Sequence, residues 1–164
     1  MSRPPRFRGF SYRGIHRYLL TFCTIERVRV FERPEYVTDA LQQIRITAGI
    51  ERFAILAYCF MPDHLHLLVE GLNEHSDLKQ FAKMAKQRSG ASHALSSSHA
   101  LSRSGRLWQE GYWETVLRID QDPGAVARYI FENPVRAGLA MSPDDYPYLG
   151  SDVWALPDVI NPRE

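Results

Sequence analysis

The chain has 164 residues, of which 45% are hydrophobic and 24% charged, with a formal net charge of +1. It contains no apolar run that approaches the length of a membrane span, roughly 20 residues, and its first residues lack the apolar stretch of a signal peptide. Its two cysteines, Cys23 and Cys59, exclude a disulfide framework. These features predict one domain, residues 1–164, in a soluble cytoplasmic protein.

The charges are unevenly distributed. Residues 1–20 contain five arginines and no acid, and residues 78–109 contain only basic charges. We expect residues 1–14 to form a basic N-terminal arm, whereas residues 141–164 form an irregular acidic tail. Basic blocks of this kind suit a polyphosphate partner such as nucleic acid, although a solvated helix face and a loose arm would give the same pattern.

Apolar periodicity predicts the elements of the first half of the chain. A β-rich strand precedes a helix that Gly49 is expected to end, and two further strands are joined by a tight reversal at residues 61–63. The predicted bounds are Tyr18–Ile25 (strand), Pro34 to about Ala48 (helix), Phe53–Phe60 (strand) and His64–Glu70 (strand).

The second half starts with a helix capped by Ser76 or Asp77 and running to about Ser89. Residues 89–106 contain a small serine-rich duplication and are expected to form a flexible loop. A fourth strand over Leu107–Ile119, with a bend at Gly111, and a helix over Asp122–Asn133 follow, and Pro134 interrupts that helix. The resulting order, β-α-β-β-α-β-α, resembles an α+β, ferredoxin-like antiparallel sheet with its first and third strands at the centre.

His64 and His66 lie two residues apart in the third predicted strand. Residues i and i+2 of a strand point to the same face, so both imidazoles can bind one metal ion. We predict an open site for a divalent cation, to which Cys59 would be a candidate third ligand if the ion were zinc. The alternative is a pair of core histidines hydrogen-bonded to backbone.

Tyr129 and Asn133 are four residues apart and would share one face of the later helix. A tyrosine supplies a phenol nucleophile, and an asparagine carbonyl oxygen can bind a hard cation. The alternatives are a core aromatic ring for Tyr129 and a capping role for Asn133.

Three segments, in this order, resemble those of single-tyrosine transposases. Residues 61–69 (Met-Pro-Asp-His-Leu-His-Leu-Leu-Val) are similar to their HUH motif, in which two histidines flank a hydrophobic residue. Residues 129–139 resemble the tyrosine-helix motif of the REP-associated tyrosine transposases, and residues 108–113 resemble a block that precedes it. The chain departs from the HUH motif of this family at Asp63, because the residue before the first histidine is commonly asparagine.

The resemblance implies an HUH nuclease domain with Tyr129 as the catalytic nucleophile. His64, His66 and Asn133 would hold Mg²⁺ or Mn²⁺. The expected reaction nicks and rejoins single-stranded or hairpin DNA, such as a REP-like palindrome, through a 5′-phosphotyrosine. Because a free phenol has a pKa of about 10, it needs help to lose its proton, and a nearby cation would favour the phenolate.

Basic side chains are expected to contact DNA phosphates, and aromatic rings to stack on bases. The candidates are Arg3, Arg6, Arg8, Arg13, Lys79, Lys83, Lys86, Trp108, Tyr112 and Arg136. We nevertheless expect at least two of Trp108, Tyr112 and Trp113 to pack in the core.

Two other functions fit the same residues. A hairpin-DNA-binding protein that has lost catalysis would keep the fold, and a zinc hydrolase would use the two histidines without Tyr129. The sequence leaves open whether the protein is a monomer or a homodimer.

Overall fold

The structure, a computed structural model, describes residues 9–96 and 106–161, with backbone alone for Leu95 and Ser96. The strands are β1 (Arg17–Cys23), β2 (Phe53–Met61), β3 (His64–Gly71), β4 (Trp113–Val116) and β5 (Leu149–Gly150). The α-helices are α1 (Pro34–Glu51), α2 (Leu78–Ser96), α3 (Pro123–Phe131), α4 (Asn133–Arg136) and α5 (Leu156–Ile160), and short 3₁₀ helices lie at Ile25–Arg27, Val30–Glu32 and Pro143–Asp145.

The strands form one antiparallel sheet in the order β4-β1-β3-β2-β5. The first four strands reproduce the predicted ferredoxin-like order, so the α+β fold class is confirmed. β3 lies between β1 and β2, which pair with it along most of its length. The strand with the two histidines is therefore held rigidly on both sides.

Side-chain alternation along β3 separates two apolar layers. Leu65, Leu67 and Val69 pack with α1 and α2 in one core cluster. On the other face, Leu68 packs with side chains of α3 and α5. His64 and His66 alternate with Leu65 and Leu67, so their imidazoles belong to the α3 face of the sheet.

The predicted loop over residues 89–106 is wrong in its first part, because α2 continues to Ser96. Two of its serines have hydrogen-bond partners within the fold: Ser89 Oγ donates to the Ala85 carbonyl at 2.6 Å, and Ser92 Oγ donates to Asp39 of α1 at 2.6 Å. His93 packs edge-on against Tyr36 of α1 at 4.8 Å. Contacts with α1 thus extend the helix beyond what its composition favours.

Two other predicted boundaries differ. Gly49 lies inside α1, which ends instead at Glu51 and is capped by Arg52 in the left-handed conformation (φ 59°). The predicted strand Leu107–Ile119 pairs regularly only over β4, because Trp108 turns into the core, whereas the predicted bend at Gly111 is confirmed by its φ of 77°. The chain therefore bends before it reaches the sheet edge.

The predicted irregular tail, residues 141–164, contains three regular elements in its described part, namely a 3₁₀ helix over Pro143–Asp145, β5 and α5. β5 extends the sheet beyond β2, and α5 contributes Val159 to the α3 face.

Residues 1–8 of the predicted arm lie outside the described residues, whereas Tyr12 is buried in the core. Among the residues that the structure describes, no helix has the length and apolarity to span a membrane.

Candidate active site

The two histidines of β3 point their Nε2 atoms at each other across 3.2 Å. Two nitrogen ligands of one metal ion, each about 2.1 Å from it in octahedral or tetrahedral geometry, lie roughly 2.9–3.4 Å apart. The spacing of His64 and His66 therefore fits one ion between the two rings. Within residues 9–96 and 106–161, both imidazoles are hydrogen-bonded to side chains and neither to a backbone group, which argues against the alternative of core histidines bonded to backbone.

Each ring is also held at its other nitrogen. His64 Nδ1 lies 2.7 Å from Asp63 Oδ1, and His66 Nδ1 lies 3.1 Å from Thr21 Oγ1 of β1. Partners at Nδ1 fix the ring orientation and leave Nε2 as the nitrogen that can bind a metal. The sequence had singled out Asp63 without indicating its contact with His64, and it gave no sign of the contact between Thr21 and His66.

The protonation state of His66 suits metal binding. The pKa of His66 is lowered to about 4, mainly by burial and further by the electrostatic effect of the neighbouring His64, Arg136 and Arg27 side chains. The ring is therefore neutral at pH 7, which is the form that binds a metal ion.

Cys59 lies beside His66 in the β2–β3 register but is poorly suited as a third ligand. Burial raises the pKa of its thiol to about 12, so it stays protonated, and its sulfur contacts Met61 Sδ at 3.9 Å. Across residues 9–96 and 106–161, no three His, Cys, Asp or Glu side chains group so as to hold a metal ion. A metal ion bound by His64 and His66 would therefore need ligands of another kind from this part of the protein or its surroundings, such as an amide, water or phosphate oxygen.

Tyr129 lies on α3, which packs against the same face of the sheet. Asp122 caps this helix by accepting from the backbone N–H groups of Gly124 and Ala125, and Pro123 occupies its first turn. Ala127, Ile130 and Phe131 are buried in the α3-face cluster, whereas Tyr129 is 60% exposed. The phenol is thus accessible to a large substrate, and the alternative of a core aromatic ring is excluded.

Arg136 of α4 folds back onto Tyr129. Its guanidinium lies 4.2 Å from the centre of the phenol ring and donates to the Tyr129 carbonyl at 2.8 Å. It also donates to Asn133 Oδ1 at 3.0 Å, while Asn133 Nδ2 donates to the Ile130 carbonyl. The helix break at Pro134 therefore brings together Tyr129, Asn133 and Arg136. The positive charge of Arg136 also contributes to the lowered pKa of His66.

The lysines predicted to contact DNA lie on the opposite side of the sheet from the histidines. They line a cavity of about 590 Å³ between α2 and residues 106–112. Its lining includes Lys79, Lys83, Lys86, Arg106, Trp108 and Tyr112. We call this cavity the α2 groove.

The basic residues of this region differ in their contacts. Lys86 Nζ donates to the carbonyls of Gln109 (2.6 Å) and Gly111, which anchors residues 106–112 to α2. Lys79 lies over the Tyr12 ring, and Arg13 donates to Asp77 at 3.0 Å. Lys83 is exposed. Arg3, Arg6 and Arg8 fall outside the described residues.

The structure contradicts the assignment of Trp108 as a base-stacking residue. Its side chain is 5% exposed, its ring packs against Phe22 and Phe31, and its indole N–H donates to Ser89 Oγ at 2.8 Å. Tyr112 is partly buried against Phe22, whereas Trp113 is exposed. As predicted, two of the three aromatic residues pack in the core.

We expect Trp108→Ala to lower the free energy of unfolding by about 3–5 kcal/mol, because it empties a buried, hydrogen-bonded position. Chemical denaturation followed by circular dichroism measures this change. Trp113→Ala, which removes an exposed ring, is the matched control and should cost no more than about 1 kcal/mol. A Trp108→Ala protein of unchanged stability would show that the ring is not part of the core.

Comparison with known proteins points to one family. A family model described as IS200-like transposase matches residues 14–133. A Haemophilus influenzae protein assigned as a REP-associated tyrosine transposase is 28% identical over 153 residues, which are 86% of this chain and 81% of that protein.

Solved structures agree in fold. A REP-associated tyrosine transposase bound to a REP hairpin superposes with a TM-score of 0.71 and 21% identity, over 91% of this chain and 82% of that one. A structure assigned to a Deinococcus radiodurans transposase superposes with a TM-score of 0.54 and 25% identity, over 79% of this chain and 97% of that one. Since the family model spans most of the chain, this protein belongs to the IS200-like transposase family.

Proposed function

We propose that the protein is a metal-dependent enzyme that nicks and rejoins single-stranded or hairpin DNA through a 5′-phosphotyrosine at Tyr129. The observation that supports this most strongly is that the paired His64 and His66 Nε2 atoms and the helix with the exposed Tyr129 lie on the same face of the sheet. Membership of a transposase family supports DNA as the substrate. The hairpin-bound structural relative supports a hairpin substrate.

His64 and His66 would hold Mg²⁺ or Mn²⁺ through their Nε2 atoms. Asn133 Oδ1 is the proposed further ligand, because a carbonyl oxygen has two lone pairs and Arg136 uses one of them here. A bound Mg²⁺ or Mn²⁺ would act as a Lewis acid that polarises the scissile phosphate and offsets charge in the transition state. The neutral state of His66 suits this role.

Tyr129 would perform the covalent step. Attack by its phenol oxygen forms a Tyr–O–P bond to the 5′ phosphate and breaks the P–O3′ bond. The departing 3′ oxygen takes up a proton and becomes a free hydroxyl. Attack by a 3′-hydroxyl on the phosphotyrosine reverses these steps, restores the phosphodiester and returns the proton to Tyr129. One bond is exchanged for another of similar energy, so joining requires no ATP.

Arg136 would assist at the nucleophile. Its guanidinium lies against the Tyr129 ring, so positive charge is already present where the phenol develops negative charge. A guanidinium is also a strong partner for phosphate oxygens. We therefore assign Arg136 to the reacting end of the DNA, apart from the cations of the α2 groove.

A labelled single-stranded hairpin oligonucleotide tests the proposal. In the presence of Mn²⁺ or Mg²⁺ we expect a covalent protein–DNA adduct on a denaturing gel and release of a fragment with a 3′-hydroxyl. EDTA should remove the adduct and leave hairpin binding intact, because the phosphate contacts of the protein's basic residues do not need the metal ion.

Other outcomes would identify another function. Hairpin binding without cleavage in any divalent metal would indicate a binding protein that has lost catalysis. Stoichiometric zinc, together with activity that does not require Tyr129, would indicate a zinc hydrolase. Either result would overturn the proposed enzyme.

The α2 groove is the proposed contact surface for the DNA backbone away from the reacting phosphate. Lys79 and Lys83 provide positive charge along α2, and Arg106 provides it on the facing segment. Tyr112 lines the same cavity and remains the aromatic candidate for contact with a base.

Lys83→Ala is expected to weaken hairpin binding and to reduce the slope of log K against log salt by about 1, since one phosphate contact is lost. Fluorescence anisotropy over a series of salt concentrations measures both effects. Gln87→Ala is the matched control, because Gln87 lines the same groove without charge. An unchanged slope in Lys83→Ala would remove this groove from the proposed DNA surface.

A further inference from the structure

The turn between β2 and β3 places the carboxylate of Asp63 beside the Nδ1 atom of His64. Asp63 Oδ1 lies 2.7 Å from His64 Nδ1, and Asp63 Oδ2 accepts from Arg27 Nε at 2.8 Å. Both oxygens of this carboxylate therefore have partners on the protein. Its side chain and that of His64 are both largely shielded from solvent.

The backbone around Asp63 is fixed independently of this side chain. The Asp63 carbonyl accepts from the Thr24 N–H at 3.0 Å and from Thr24 Oγ1 at 2.9 Å. The Pro62 carbonyl accepts from the Phe31 N–H at 3.0 Å. The segment that follows β1 thus holds the turn in place, so the backbone position of Asp63 does not depend on the contact of its side chain with His64.

Arg27 reaches the carboxylate from a strained segment. Glu26 and Arg27 are consecutive non-glycine residues in the left-handed region, with φ values of 53° and 57°. Such conformations persist where surrounding contacts require them, and they are common at functional sites. Arg27 also donates to Cys23 Sγ at 3.1 Å, which holds its guanidinium beside the same end of β1.

We infer that Asp63 and Arg27 are positioning residues for His64. The carboxylate accepts a hydrogen bond from the Nδ1–H group of His64, which selects the tautomer whose unprotonated Nε2 faces His66. Arg27 holds the carboxylate in this orientation and balances its charge. Asp63 is therefore a partner of a ligand and is not itself a ligand.

The two histidines differ in this respect. His66 has a neutral partner, Thr21 Oγ1, at the longer distance of 3.1 Å. A carboxylate partner makes an imidazole a better donor to a metal ion than a hydroxyl partner does. We therefore expect His64 to be the more tightly held ligand of the pair. This inference rests on the proposed function, since it assigns a role toward the metal ion.

The first test measures the metal-free protein without DNA. The ¹⁵N shifts of the His64 ring should show the Nδ1-protonated tautomer in the wild type and a mixture of tautomers in Asp63→Ala. Asp63→Asn keeps an acceptor oxygen and should restore much of the wild-type tautomer. The φ of Asp63 is not in the left-handed region, so alanine can adopt this turn without strain.

The second test is Mn²⁺ binding, measured by electron paramagnetic resonance of the free ion. Asp63→Ala should bind Mn²⁺ about 10- to 100-fold more weakly, and Asp63→Asn should fall between it and the wild type. Arg27→Ala should weaken binding by less, and should add little in the Asp63→Ala background, because it acts through the carboxylate. Glu70→Ala is the control. It removes a carboxylate of β3, the strand that contains His64, but this carboxylate pairs with Arg17, so the Mn²⁺ affinity should stay unchanged.

The results separate this inference from the proposed function. A wild type that binds no Mn²⁺ would overturn the proposed metal site, while the tautomer measurement would still decide the role of Asp63. Normal Mn²⁺ affinity in Asp63→Ala, or an unchanged His64 tautomer, would overturn the positioning role alone.

Discussion

Replacing Tyr129 with phenylalanine is expected to abolish the covalent adduct and to lower strand cleavage on the order of 10⁴-fold or more, as removal of a nucleophile does. Phenylalanine keeps the ring that lies under Arg136 and lacks only the attacking oxygen. Because Tyr129 is 60% exposed, the change should alter stability by no more than about 0.5 kcal/mol. Hairpin affinity should therefore remain, which separates binding from chemistry.

The adduct is measured on a denaturing gel, and binding by anisotropy in EDTA. Tyr148→Phe is the matched control, since Tyr148 is a partly buried tyrosine that packs against the other core cluster. It should retain both cleavage and adduct. Persistence of the adduct in Tyr129→Phe would show that another residue is the nucleophile.

The fold was predictable because its central feature depends on local signals. The apolar strands, the tight reversal at Pro62 and Asp63, and the order of strands and helices together specify a sheet with β3 at its centre. The end of α2 was not predictable, since packing of His93 and Ser92 on α1 outweighs the low helix propensity of a serine-rich segment. The inward turn of Trp108 likewise depends on contacts distant in sequence.

Some residues of the candidate site could likewise be predicted from the sequence, and others could not. The shared face of His64 and His66 follows from strand alternation, and the proximity of Tyr129 to Asn133 follows from helix periodicity. Arg136 over the Tyr129 ring requires the break between α3 and α4, and the contact of Arg27 with Asp63 joins residues 36 positions apart. Only the β1–β3 register brings Thr21 opposite His66. Such partners have no periodic signal in the sequence.

His64→Ala and His66→Ala are each expected to lower metal-dependent cleavage roughly 10³-fold, which corresponds to the several kcal/mol that a cation contributes to the transition state. With their Nε2 atoms 3.2 Å apart, the two rings would hold one ion together, so loss of either ring loses most of that ion's binding. The double variant should therefore be little worse than each single variant, as for groups that act as a unit.

Cleavage and Mn²⁺ affinity should fall together in both single variants, and a large excess of Mn²⁺ should restore part of the cleavage, because the remaining imidazole still offers one ligand. His75→Ala is the control, since His75 is exposed in the loop after β3 and contacts Glu74. Loss of activity in His64→Ala but not in His66→Ala would contradict shared binding of one ion. Additive losses would contradict it as well, because two independent contributions would then be present instead of one site.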